Sequence, residues 1–124
     1  MTETRPQVRG SSALSAVVSE FDLTVESTSW YDAISPTGTK YEVKSGRESV
    51  RVWEDQHRSL VASDRVGTAW YVFVHVSAAG NVTAMQRRKP STVTQLVNDA
   101  GGWVKSGHHR TKKREKYLPI GTVI

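Results

Sequence analysis

The chain has 124 residues, no cysteine and a formal net charge of +5, from 17 Lys and Arg against 12 Asp and Glu. That length fits one domain with its own hydrophobic core, and the lack of cysteine excludes disulfides, a thiol nucleophile and thiolate zinc sites. No apolar run approaches the roughly 20 residues that cross a bilayer, and MTETRPQVRG lacks a signal-peptide stretch, so a cytoplasmic location without a membrane partner is expected.

Residues 1–10 are polar, with Pro6 and Gly10, and read as a disordered N-terminus. Ser11 or Ser12 can cap a helix running to about Phe21, whose Ala13, Leu14, Val17, Val18 and Phe21 keep helical spacing. WYDAISPTGTKYEVKS then reads as a hairpin around Pro36-Thr37-Gly38. A second helix is predicted over about Val50 to Ser63, with Val52, Trp53, Gln56, Leu60 and Val61 on one stripe. AWYVFVHVS, residues 69–77, is the most apolar run and predicts a central strand covered on both faces. NVTAMQRR is its expected partner strand after the Ala79-Gly80-Asn81 turn. Pro90 opens a third helix that Gly101-Gly102 ends, and KYLPIGTVI closes the chain as a short edge strand. The expected fold is α/β (α+β), one small mixed sheet flanked by helices.

The positive charge has a location. Residues 1–102 hold 11 basic and 11 acidic residues, so they sum to zero. Lys105, Arg110, Lys112, Lys113, Arg114 and Lys116, against Glu115 alone, put the whole +5 in residues 103–124. A core domain over 11–102 within a neutral 1–102 stretch, followed by a basic C-terminal segment over 103–124, points to a polyanion, DNA first. Arg87-Arg88-Lys89 can add to that contact if it faces the same way.

The hairpin carries the chemistry. A three-residue turn with Gly38 in a left-handed conformation sets Ile34 opposite Lys40, Ala33 opposite Tyr41 and Asp32 opposite Glu42. Asp32, Glu42 and Lys44 then share one face, and Tyr31, Ala33, Tyr41 and Val43 share the other. A two-residue turn would separate Asp32 from Glu42. Two neighbouring carboxylates suit a hard divalent ion, Mg²⁺ or Mn²⁺, and a lysine beside them suits a phosphoryl group and an attacking water.

Asp32, followed by Glu42-Val43-Lys44 on the next strand, resembles the PD-(D/E)XK nuclease superfamily. The flanking helix, hairpin, helix and apolar strand follow the order of its restriction-endonuclease-like αβββαβ core. EVKSGRES and WYVFVHV look most like the archaeal Holliday-junction resolvase branch. The resemblance implies an Mg-dependent DNA endonuclease, structure-selective and homodimeric, with Asp32 and Glu42 holding metal and Lys44 assisting the water. It also implies a further acid. Glu20 is the acid on the first helix, and Glu26 is the other candidate. The resolvase pattern places a glutamate where this chain has Leu14, which leaves two alternatives: a non-catalytic DNA-binding module of the same fold, or an accessory subunit binding protein or RNA through its basic end.

Other residues read more plainly. Gln56 and Arg58 either support the site or lie on a helix surface. His57 is expected at the surface, and His75 in the core. His108-His109 belongs with the basic segment, because two adjacent histidines without a third spaced ligand make a poor metal site. Trp30, Trp53, Trp70 and Trp103 are core by default, with Trp30 and Trp103 partly exposed.

Overall fold

Val72 and Val74 alternate with Tyr71 and Phe73, and all four are fully buried. A strand with both faces covered sits between two layers, and the rest of the fold is arranged around it. The computed structural model describes residues 7–26, 28–107 and 112–124. In chain order the elements are α1 (Gln7–Phe21), β1 (Thr24–Val25), β2 (Ala33–Ile34), β3 (Lys40–Gly46), β4 (Ser49–Trp53), α2 (Glu54–Asp64), β5 (Ala69–Val76), β6 (Val82–Arg88), α3 (Pro90–Asp99), β7 (Val104–Lys105), β8 (Arg114–Pro119) and α4 (Ile120–Val123). No helix among the described residues is long and apolar enough to cross a membrane.

The strands form two sheets rather than the single sheet expected. The first has the order β1-β2-β3-β5-β6, and the second β4-β8-β7. β3 and β5 run parallel through the α2 crossover, and the other neighbours are antiparallel. α1 covers one face of the first sheet, where Ala13 and Val17 meet Ala33, Tyr41, Val72, Val74 and Val76. Tyr71 and Phe73 point to the opposite face, into a core closed by Leu60, Val93, Val97, Val50, Val52 and Leu118. The mixed α+β architecture with a predominantly buried central strand is therefore as the sequence led us to expect.

Three local expectations change. Val50–Trp53 is a strand, and α2 starts at Glu54. Val50 and Val52 point inward while Arg51 and Trp53 stay partly exposed, a period of two that suits β-branched and aromatic residues. The residues that complete this strand are Arg114–Pro119, far along the chain. Those residues form the middle strand of the second sheet, not an edge strand. Leu118 and Val123 are buried in the core, and each such side chain contributes about 1.5–3 kcal/mol of transfer free energy. Lastly, α1 begins at Gln7, ahead of Ser11 and Ser12.

The hairpin has the three-residue turn. Ser35 N–H donates to Thr39 O at 2.9 Å, Gly38 N–H donates to Ser35 O at 3.0 Å, and Gly38 has φ +91°. The register is Ala33 opposite Tyr41 and Ile34 opposite Lys40.

Candidate active site

Glu42 and Lys44 are two apart on β3, so they share a face. Their register partners on β5 are Tyr71 and Phe73. That places both on the side of the first sheet that faces α2 and the second sheet. Lys44 Nζ lies 3.1 Å from Glu42 Oε2.

Asp32 joins them by a different route from a simple ladder. Regular pairing stops at Ala33, and Asp32 N–H donates to Tyr41 O at 2.9 Å. The Asp32 carboxylate turns back along β3, where Oδ2 accepts the Val43 N–H at 2.9 Å. This brings it within hydrogen-bonding reach of Glu42. Two carboxylates and an ammonium thus meet at the end of the hairpin.

The electrostatics are unfavourable to two free charges. Glu42 is only 4% exposed. Burial pushes its carboxyl up to about 8, Lys44 opposes the shift, and Asp32 adds to it. A divalent cation would relieve this crowding, and two carboxylates with water completing the shell are a donor set that Mg²⁺ accepts.

A glutamine on α2 locks the lysine. Gln56 Oε1 accepts a 2.8 Å hydrogen bond from Lys44 Nζ, and Gln56 Nε2 donates to Ser29 O at 3.0 Å. One side chain thereby ties together β3, the loop before Asp32 and the first turn of α2. Arg58 instead points outward and pairs with Glu54 at 3.2 Å.

A family model described as the PD-(D/E)XK nuclease superfamily domain matches residues 1–124. The chain belongs to the PD-(D/E)XK nuclease superfamily. Among solved structures, a nuclease from a fusselovirus is similar to it, with a TM-score of 0.56 at 10% identity, covering 98% of this chain and 88% of that one. At that identity the likeness concerns the fold. No curated protein matches the chain.

The remaining residues singled out from the sequence of this PD-(D/E)XK nuclease domain scatter. Glu20 is exposed on α1, the helix on the other face of the sheet. The Glu26 carboxylate accepts the Tyr31 hydroxyl, while Glu26 N–H donates to Asp32 O at 2.9 Å. No group of three or more His, Cys, Asp or Glu suited to a metal occurs among the described residues. Arg87 lies over the rings of Trp70 (4.2 Å) and Phe21 (5.2 Å), and Arg88 donates to Val123 O at 3.0 Å. Lys89 pairs with Asp64. Arg87 and Arg88 serve opposite faces of the sheet, as neighbours on a strand must. Arg114 donates twice to Glu54, at 2.9 and 2.7 Å, and Lys113 lies 3.5 Å from Asp55. Lys105 and Lys112 are exposed, and Lys116 is half-buried. Arg110, His108 and His109 lie outside the described residues.

His57 is buried, contrary to the surface position expected for it. Thr94 Oγ1–H donates to Pro90 O at 3.1 Å, so Thr94 accepts the His57 Nε2–H at 2.7 Å. His57 Nδ1 is then the acceptor of the Tyr71 hydroxyl at 2.8 Å. Burial lowers the imidazole to about 4, and the neutral ring pins α2 to α3 and β5 directly beside Glu42. Nothing in local sequence pairs His57 with Thr94, which is 37 positions away.

Proposed function

We propose that this PD-(D/E)XK nuclease is a divalent-metal-dependent DNA endonuclease that hydrolyses phosphodiester bonds. The observation that carries the reading is the meeting of Asp32, Glu42 and Lys44 at one end of the hairpin. Asp32 and Glu42 would hold Mg²⁺ or Mn²⁺, which when bound would polarise a phosphoryl oxygen and acidify a water. Lys44 would place an ammonium against the attacking water and the developing charge on phosphorus. Gln56 would keep that ammonium aimed, and the buried His57 network would hold the helix that carries Gln56. Glu20, exposed on the helix at the opposite face of the sheet, would stand outside this metal set, and cleavage unchanged in Glu20→Gln would support that.

DNA backbone would be held by the basic end, with Lys105, Lys112 and Lys116 as the candidate phosphate contacts and Lys113 joining them only by leaving Asp55. Arg114, Arg87, Arg88 and Lys89 would contribute there only by exchanging the partners they already have. Two copies in a homodimer would present two such sites to a branched substrate, in the manner of junction resolvases.

The test is incubation of the purified chain with linear, nicked, flapped and four-way-junction DNA, with Mg²⁺, Mn²⁺ or EDTA. Metal-dependent cleavage lost in Glu42→Gln supports the reading. Binding without cleavage in any metal would instead favour a non-catalytic module of the same fold.

A further inference from the structure

We infer that the uncovered face of the second sheet is a stacking platform for unpaired bases. The inference rests on the nuclease reading and deepens it by naming the substrate class: DNA with a single-stranded segment beside the cleavage point.

Alternation along β4 and β8 divides their side chains. Val50, Val52 and Leu118 point into the core and are almost fully buried. Arg51 and Trp53 point out, with Tyr117 opposite Arg51 and Glu115 opposite Trp53. The Arg51 guanidinium lies 4.6 Å from the centre of the Trp53 ring and 5.7 Å from that of Tyr117. Its Nη1 donates to the Tyr117 hydroxyl at 3.3 Å and stands 3.5 Å from Glu115 Oε1. Lys113 Nζ is 5.9 Å from the Trp53 ring. The planar groups are therefore held in place before any ligand arrives. Yet Tyr117 is 53% exposed, and Val104, opposite Glu115, is 46% exposed. Such exposure adds little to folding, because the inward residues already bind the sheet to the core.

The charge of this face selects among occupants. Arg51 faces Glu115 and Lys113 faces Asp55, so the patch is close to neutral and offers phosphates little. A duplex presents phosphates and hides its base faces. An unpaired strand exposes those faces, and stacking on aromatic and guanidinium planes needs no net charge. The position also fits. Trp53 immediately precedes α2, whose first turn holds Gln56. Three residues of helix span roughly 5 Å, so the platform adjoins the Lys44 site.

The experiment uses the full chain in EDTA, so binding is read without cleavage. A labelled oligo-dT of about 15 nucleotides, within the range one such surface can engage, is compared with a duplex of equal length by fluorescence anisotropy. Tyr117→Ala and Arg51→Ala are expected to weaken single-strand binding about tenfold and duplex binding less than about twofold. Tyr117→Phe, which keeps the ring, should bind as the parent does. Unchanged single-strand affinity in Tyr117→Ala, or an equal loss on both DNAs, overturns the inference. So does a dimer, seen by sedimentation, that Tyr117→Ala dissolves, because the face would then belong to a second copy. Cleavage by the parent chain and its loss in Glu42→Gln are scored separately, so the nuclease reading and the platform fail independently.

Discussion

Lys44 donates a 2.8 Å hydrogen bond to Gln56, joining a strand of the first sheet to the first turn of α2. An exposed lysine would sample many rotamers, and this one is held by Gln56 on one side and by Glu42 on the other. The aim of the ammonium is thus set by tertiary structure.

Gln56→Ala is expected to lower kcat for cleavage by about 10–100-fold, the usual cost of losing a group that orients an active-site residue. KM for DNA should change little. In a Lys44→Ala background the same change should add almost nothing, because the residue it orients is gone. Additive losses in the double variant would show that Gln56 acts elsewhere.

Asp32→Asn, Glu42→Gln and Lys44→Met should each reduce cleavage by at least about 10²-fold, with duplex binding retained. Isothermal titration with Mn²⁺ separates the roles. The two carboxylate variants should lose metal binding, and Lys44→Met should keep it.

Stability of the metal-free chain should depend on pH in two opposed limbs. Glu42 is raised from 4.5 to about 8 in the fold, so its contribution is complete below about 4.5 and is lost as pH rises through about 8. His57 is lowered from 6.5 to about 4, so its contribution is complete above about 6.5 and is lost as pH falls through about 4. Between about 4.5 and 6.5 the two slopes cancel. Urea titrations across pH should therefore show an alkaline decline that Glu42→Gln removes. The acid decline should be reduced in His57→Gln. An alkaline limb unchanged in Glu42→Gln would contradict the buried-carboxylate account.

Gly46 and Gly38 should respond differently to substitution. A Cβ at Gly46 would lie 1.9 Å from Ser49 O, which is backbone and cannot yield. Gly46→Ala should cost several times as much as Gly38→Ala, whose added methyl meets open space and pays only for φ +91°, about 1–2 kcal/mol. Midpoints in urea give the comparison. Because Gly46 follows Lys44 by two residues, cleavage should fall with it.

The basic end should act unevenly. Replacing Lys105 and Lys112 with Ala should flatten the dependence of log K on log salt by up to about 1.8 for duplex DNA, about 0.9 per phosphate contact. Arg114→Ala should instead loosen β8 from α2, since Arg114 is already bound to Glu54. A salt slope unchanged in the double lysine variant would remove these residues from the DNA interface.

The sequence by itself determined the hairpin and its turn, the central strand and the third helix. These rest on local signals: Gly38 at the position that needs a positive φ, a long apolar run, and Pro90 opening a helix. Side-chain alternation along β3 was enough to put Glu42 and Lys44 on one face, whereas Asp32 lies beyond the end of β2 and reaches them by turning its carboxylate back onto the Val43 N–H. Tertiary structure decided the rest, because pairing between distant strands leaves no local mark. Val50–Trp53 has apolar spacing compatible with a helix, and becomes a strand only because Arg114–Pro119 comes back to pair with it. His57 looks like a surface residue until Thr94 and Tyr71 enclose it. The triple Arg87-Arg88-Lys89 looks like one basic patch, but successive side chains on a strand point to opposite faces: Arg87 and Lys89 both lie over the Trp70 ring, Lys89 also pairs with Asp64, and Arg88 reaches Val123 O on the other side.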